Sequence, residues 1–208
     1  MKVYEHKNPA SLRIRSHPWI DSASDPTHRY YDFRARPDLI RSSLEDMQEW
    51  RAYPSTETFY RLIEWLNGSD SVFESNDCAF DGATANTNPQ FSERLQCSGR
   101  LMILYRELAL NLSTSQTRWL TNAIAHALNR TDPEFEYGVI GATVMPVRFT
   151  MAPGPPERQI GQQLMLSFWA WGDNERDLMT NLDRTFRNMT IVLQELSEKI
   201  RRSPQSST

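Results

Sequence analysis

The sequence predicts an α+β fold: a four-stranded, mostly antiparallel sheet with amphipathic helices largely on one face, in the order αββαββα, behind an irregular N-terminal arm. Three observations predict it. Apolar residues recur at helical spacing in three separate stretches, with Phe59, Leu62, Ile63 and Leu66 in one, Leu120, Ile124, Ala127 and Leu128 in another, and Leu178 through Ile200 in a third. Between them lie runs of extended, alternating or wholly apolar character. Loops rich in Gly, Asn, Thr and Pro join those runs in pairs, as hairpins require.

Residues 1–36 hold three of the four histidines (His6, His17, His28), three prolines and the aromatics Trp19, Tyr30, Tyr31 and Phe33, with no sustained period. They read as an arm that packs through its aromatics. From Pro37 the spacing of Ile40, Leu44 and Met47 is helical, stopping by Pro54. A second helix follows at about 55–67, capped by Ser55 or Thr56 and ended at Asn67-Gly68. A strand is expected at 71–80 and a loop over Asp81 to Pro89.

The row from Arg100 to Leu112 reads as a central strand buried on both faces. It sets Met102, Leu104, Leu108, Leu110 and Leu112 against Leu101, Ile103, Tyr105 and Ala109. Ser113-Thr-Ser-Gln116 then opens a helix as a capping box, ending near Asn129. Tyr137 to Thr150 reads as a strand in which Pro146 marks an edge or a bulge. The loop Met151 to Glu157 turns the chain into a strand at Gln162 to Trp171, with Leu164, Leu166 and Phe168 inward. Asp173 is expected to cap a long C-terminal helix. The chain thus divides into an arm (1–36), a single α+β domain (37–202) and a flexible tail (203–208).

Composition bounds the function. A net charge of −3 gives no wholesale basic field, which argues against a nucleic-acid partner, and no run of apolar residues is long enough to span a membrane. Two cysteines in 208 residues need no disulfide framework and fit a reducing, cytoplasmic compartment. The eight glycines form neither a dinucleotide fingerprint nor a phosphate loop, and no zincin, zinc-ribbon or hydrolase-elbow motif occurs. No cofactor, metal or catalytic set is expected. Asp173 to Asp177 looks briefly like a calcium loop, but Leu178 and Arg184 stand where it needs Gly and Glu.

Three groups of residues are left as binding candidates. Glu74, Asp77 and Cys78 fall within five residues, and strict alternation puts Glu74, Asn76 and Cys78 on one strand face with Asp77 on the other. A nucleophilic Cys would need a base, and the one histidine outside the arm, His126, sits off its helix's apolar stripe, so both thiols read as inert. Arg106 and Glu107 interrupt the apolar row; structural pairing is the expected explanation and a site at the sheet centre the alternative. Trp169 and Trp171, joined by Tyr105, face away from the helices as an aromatic platform that either the arm or a partner must cover.

The function expected from this pattern is that of an intracellular, non-enzymatic binding protein, an inhibitor, immunity-type protein or regulatory adaptor, acting through a protein–protein surface. The alternative is an enzyme or small-molecule binder with a motif-less pocket between sheet and arm. Homo-oligomerisation stays open.

Overall fold

The computed structural model describes residues 2–6, 14–18, 31–155 and 159–202. Its six strands are β1 (Lys2–His6), β2 (Arg15–His17), β3 (Phe73–Ala85), β4 (Leu95–Tyr105), β5 (Gly138–Phe149) and β6 (Ile160–Gly172). Its helices are α1 (Ile40–Ser43), α2 (Pro54–Asn67), α3 (Leu108–Asn111), α4 (Thr114–Thr131) and α5 (Glu175–Arg202).

The four long strands form the expected antiparallel sheet, in the order β5-β6-β4-β3. The arm departs from expectation. It is not irregular throughout, because β1 and β2 both add to β5 as parallel strands, making the sheet wider than four. The short, unperiodic sequence of 1–36 hides this, since a strand of three or five residues carries too few positions to show a period.

The helices behave as their spacing implies. Phe59, Leu62, Ile63 and Leu66 of α2, Leu120, Ile124 and Leu128 of α4, and Leu178, Leu182, Phe186 and Leu193 of α5 share one buried core with Leu164, Leu166 and Phe168 of β6 and Leu101, Ile103 and Tyr105 of β4. Phe186 lies at its centre, 4.8 Å from Phe59 and 4.9 Å from Phe168 between ring centroids. The three long helices therefore cover one sheet face and leave the other, here called the helix-free face because only the single turn of α3, at its Leu104 end, packs there among the described helices. Two caps use polar residues near the expected places, whereas α2 starts at Pro54 behind Tyr53 with no side-chain cap, and the expected caps Ser55 and Thr56 lie inside the helix. Ser113 Oγ accepts the Gln116 amide at 3.5 Å, and α5 is capped by Asn174, one residue later than expected, whose side chain accepts from the Asp177 amide at 3.1 Å.

Three other boundaries differ. Residues 37–50 are not one helix but two 3₁₀ stretches, Pro37–Leu39 and Glu45–Trp50, around the single turn of α1. The strand expected to run to Leu112 ends at Tyr105. Its continuation turns into α3, where Leu108 and Leu112 pack with Leu104, Val147, Phe149 and Ala152 in a second small core. An all-apolar row satisfies both a buried strand and a short helix, and only tertiary packing chooses. The loop expected from Asp81 is strand as far as Ala85.

The sheet curls. In a flat sheet β2 and β3 would stand four strand spacings apart, about 19 Å. Instead His17 Nδ1 lies 2.8 Å from Asn76 Oδ1, and Arg15 ion-pairs with Asp77 at 3.2 Å. Asn76 also donates to Gln163 of β6 at 2.6 Å, so the curl closes over the helix-free face.

Candidate functional site

Two irregularities in β3 build this face. The register with β4 slips between Ser75 and Asp77, inserting Asn76 as an extra residue. Glu74 pairs with Leu104 and Asp77 with Met102, both on the helix-free face, whereas Cys78 pairs with Leu101 and packs against the helical core. The bulge thus overturns the alternation read from sequence. Glu74 and Asp77 share a face, and Cys78 is on the other. A second slip lies between Phe80 and Ala83, where Gly82 has φ +70° and the Trp50 ring stands 3.1 Å from where a Cβ would be.

The carboxylates brought together are held by three arginines. Glu74 lies 2.8 Å from Arg34 and 3.5 Å from His17 Nε2, while Asp77 takes both Arg15 at 3.2 Å and Arg100 at 3.1 Å. Burial drives the Glu74 carboxyl up, but hydrogen bonds from His17 and Arg34 and their charges outweigh it and leave the group below the ordinary carboxylate range. His17 is buried, edge-on to Phe149 at 5.7 Å between ring centroids. The arm strand β2 is therefore fastened across the helix-free face by two groups of polar side chains, one around His17 and one around Asp77.

Beside these groups is a cleft of about 210 Å³ lined by Ala79, Asp81, Ser98, Gly99, Arg100, Ser167 and Trp169. The register explains its shape. Ala79, Arg100 and Ser167 stand in one row across β3, β4 and β6, with Ser98 and Trp169 paired in the next, so small residues form the floor and Trp169, Arg100 and Asp81 the walls. Asp81 is exposed and accepts the Ser98 hydroxyl at 2.5 Å.

The other candidates fall elsewhere. Trp171 is buried at 2% exposure, stacked on Phe91 with ring centroids 3.6 Å apart, and its indole N–H donates to Asn86 at 3.2 Å. The β3–β4 connection covers it. The two tryptophans do not form one open platform. Trp19 and Tyr30, expected in the lid, lie outside the described residues; Phe33 is buried in the helical core and Tyr31 packs against it. Tyr105 does not join Trp169. It pairs with Phe73 on the helical side, 5.5 Å between ring centroids, and its hydroxyl donates to the Gln116 carbonyl at 3.3 Å, with burial raising its pKa.

Arg106 is structural. Its guanidinium donates to the carbonyls of Phe73 at 2.9 Å, Leu66 at 3.0 Å and Gly68, closing the C-terminal end of α2, where carbonyls have no partner within the helix. Glu107 is exposed at the start of α3. Cys78 and Cys97 are free, and burial pushes each thiol up to about 12. Among the described residues no three His, Cys, Asp or Glu side chains gather as a metal site, and no helix is long and apolar enough to cross a membrane.

Sequence reasoning missed Arg15, His17, Arg34, Asp81, Ser98 and Arg100. No local pattern marks them, because they meet through the bulges and the curl; the polar residues breaking the β3 alternation were the available signal. No family model matches the chain, and neither curated proteins nor solved structures provide a match.

Proposed function

We propose that this chain is a non-enzymatic binding protein that recognises a protein partner through the helix-free face of its sheet. One observation carries the reading: the cleft in which Trp169 meets Arg100, Asp81, Ser98 and Ser167. Its size bears on the kind of ligand. At about 210 Å³ it falls below the roughly 300–1,000 Å³ of small-molecule sites, and it is large enough to take a single side chain of a partner. Trp and Arg are the commonest anchors of protein interfaces, and here they flank a floor of small residues that lets an incoming group approach the sheet. An inhibitor, an immunity-type protein or an adaptor would each work through such a surface. The two unpaired, unreactive thiols support a cytoplasmic setting.

The connected polar set around His17 favours a second reading, a small polar ligand held between sheet and arm, since perturbed and converging charges mark ligand sites as well.

The test is site-specific photo-crosslinking in cells of the source organism, with the photoreactive residue at Ser167 in the cleft or at Arg61 on the exposed side of α2. The surface reading expects one discrete protein adduct from Ser167, absent from Arg61 and lost when Trp169→Ala is added. Equal adducts from both positions, or none from Ser167, would remove it.

A further inference from the structure

We propose that the cleft beside Trp169 seats a cationic side chain, above all an arginine, from a basic segment of the partner; this rests on the binding surface proposed above. The carboxylates of the helix-free face are not held alike. Glu74 is held by Arg34 and His17, and Asp77 by Arg15 and Arg100. Asp81 differs. Among the described residues its one hydrogen-bond partner is the Ser98 hydroxyl, and no cation stands within ion-pairing distance. Of the three carboxylates Glu74, Asp77 and Asp81, it is the one that no cation answers among the described residues.

The second observation is positional. Ser98 pairs with Trp169 across β4 and β6, and the Asp81 carboxylate reaches the same Ser98 from β3. Carboxylate and indole therefore flank one hydroxyl from opposite sides. Adjacent strands are about 4.8 Å apart, so the backbone positions of β3 and β6 are separated by about 10 Å at this level. A planar guanidinium fits that interval. One face can lie on an indole within about 6 Å of its centroid while its edge gives two parallel hydrogen bonds to a carboxylate.

The rest of the lining agrees. Trp171 uses its indole N–H on Asn86, but the Trp169 N–H and the Ser167 hydroxyl have no hydrogen-bond partner among the described residues and stay available to an incoming chain. Arg100 also lines the cleft, and its charge opposes a second cation. That charge is already drawn to Asp77 through Nε at 3.2 Å and a terminal nitrogen at 3.1 Å, which weakens the repulsion. An anionic guest fares worse, since it would face Asp81 and compete with Asp77 for Arg100.

The probe is the blocked tripeptide acetyl-Gly-Arg-Gly-amide, with its Lys and Glu counterparts, titrated into the ¹⁵N-labelled full chain while the Trp169 indole N–H resonance is followed. Loss of the signal in Trp169→Phe assigns it. The Arg peptide is expected to shift it saturably at millimolar concentration, the Lys peptide more weakly and the Glu peptide not at all. Asp81→Asn, a change at an exposed position, is expected to weaken the Arg peptide at least about fivefold, and Glu198→Gln on α5 to leave it unchanged. An unmoved resonance, an equal response in Asp81→Asn, or preference for the Glu peptide would overturn the proposal. If the peptides fail while Ser167 still crosslinks a partner, the cation assignment alone falls; if Ser167 captures nothing either, the surface falls with it.

Discussion

Trp169 and Trp171 are two residues apart on β6, yet one lines an open cleft and the other is buried under Phe91. Their difference is set by the chain opposite, since Phe91 belongs to the β3–β4 connection that reaches only the Trp171 end. Phe91→Ala should uncover Trp171, shifting tryptophan emission to the red and lowering the denaturant midpoint by the equivalent of about 1.5–3 kcal/mol; an unchanged spectrum would mean that the indole is buried without it. Arg106 shows the opposite role, a charge in an apolar row whose guanidinium donates to three carbonyls. Arg106→Met leaves those carbonyls at the end of α2 without their donor, and a loss of about 1.5–3 kcal/mol in denaturant melts is expected, with the binding surface untouched. The thiols give a chemical check. With pKa values at about 12, the thiolate fraction at pH 8 is on the order of one in 10⁴, so iodoacetamide should label Cys78 and Cys97 about a thousandfold more slowly in the native protein than in denaturant.

At the scale of elements, the long helix α5 and the short strand β2 make different predictions. α5 presents an unbroken stripe to the core, and Phe186 is wholly buried, so Phe186→Ala should cost about 3–5 kcal/mol, seen as a lowered denaturant midpoint with little change in slope. β2 is fastened by polar groups instead, and its hold is expected to depend on pH. The Glu74 pKa is depressed in the folded protein, so its stabilising contribution is complete above the unfolded value of about 4.3 and is lost as pH falls through the lower folded value. Thermal melts of Glu74→Gln should therefore lie below wild type at pH 5 and approach it toward pH 2.5. Parallel curves across that range would show that Glu74 does not hold the arm strand. The far edge of the sheet is protected in a similar polar manner, since Asp46 accepts the Phe80 amide at 3.4 Å and Asn67 the Ser75 amide at 3.3 Å, which occupies donors that another strand would use.

Over the whole molecule, the sheet's curl joins strands distant in sequence and builds the polar set beside the candidate cleft. This also marks what the sequence could reveal. Helices α2, α4 and α5 and the hairpin of β5 and β6 were legible because each carries many turns or alternations of one period, and the mixed α+β class followed from their order. The bulge at Asn76, the end of β4 at Tyr105 and the pairing of β2 with β5 were not legible, because each depends on a partner strand or a packing choice that no local window contains. Glu74 and Asp77 were recognised as chemistry from their density alone, while His17, Arg100 and Asp81 needed the folded register to be brought beside them. On the proposed reading, the helix-free face at Trp169, and not aromatic exposure in general, makes the interface. Trp119 offers the comparison, being 38% exposed on α4 at the opposite side of the sheet. Titration of the partner captured through Ser167 against Trp169→Ala and Trp119→Ala measures the difference directly. The account predicts a loss of about 2 kcal/mol or more, roughly thirtyfold in Kd, for Trp169→Ala and wild-type affinity for Trp119→Ala; equal affinities, or a loss confined to Trp119→Ala, would contradict it.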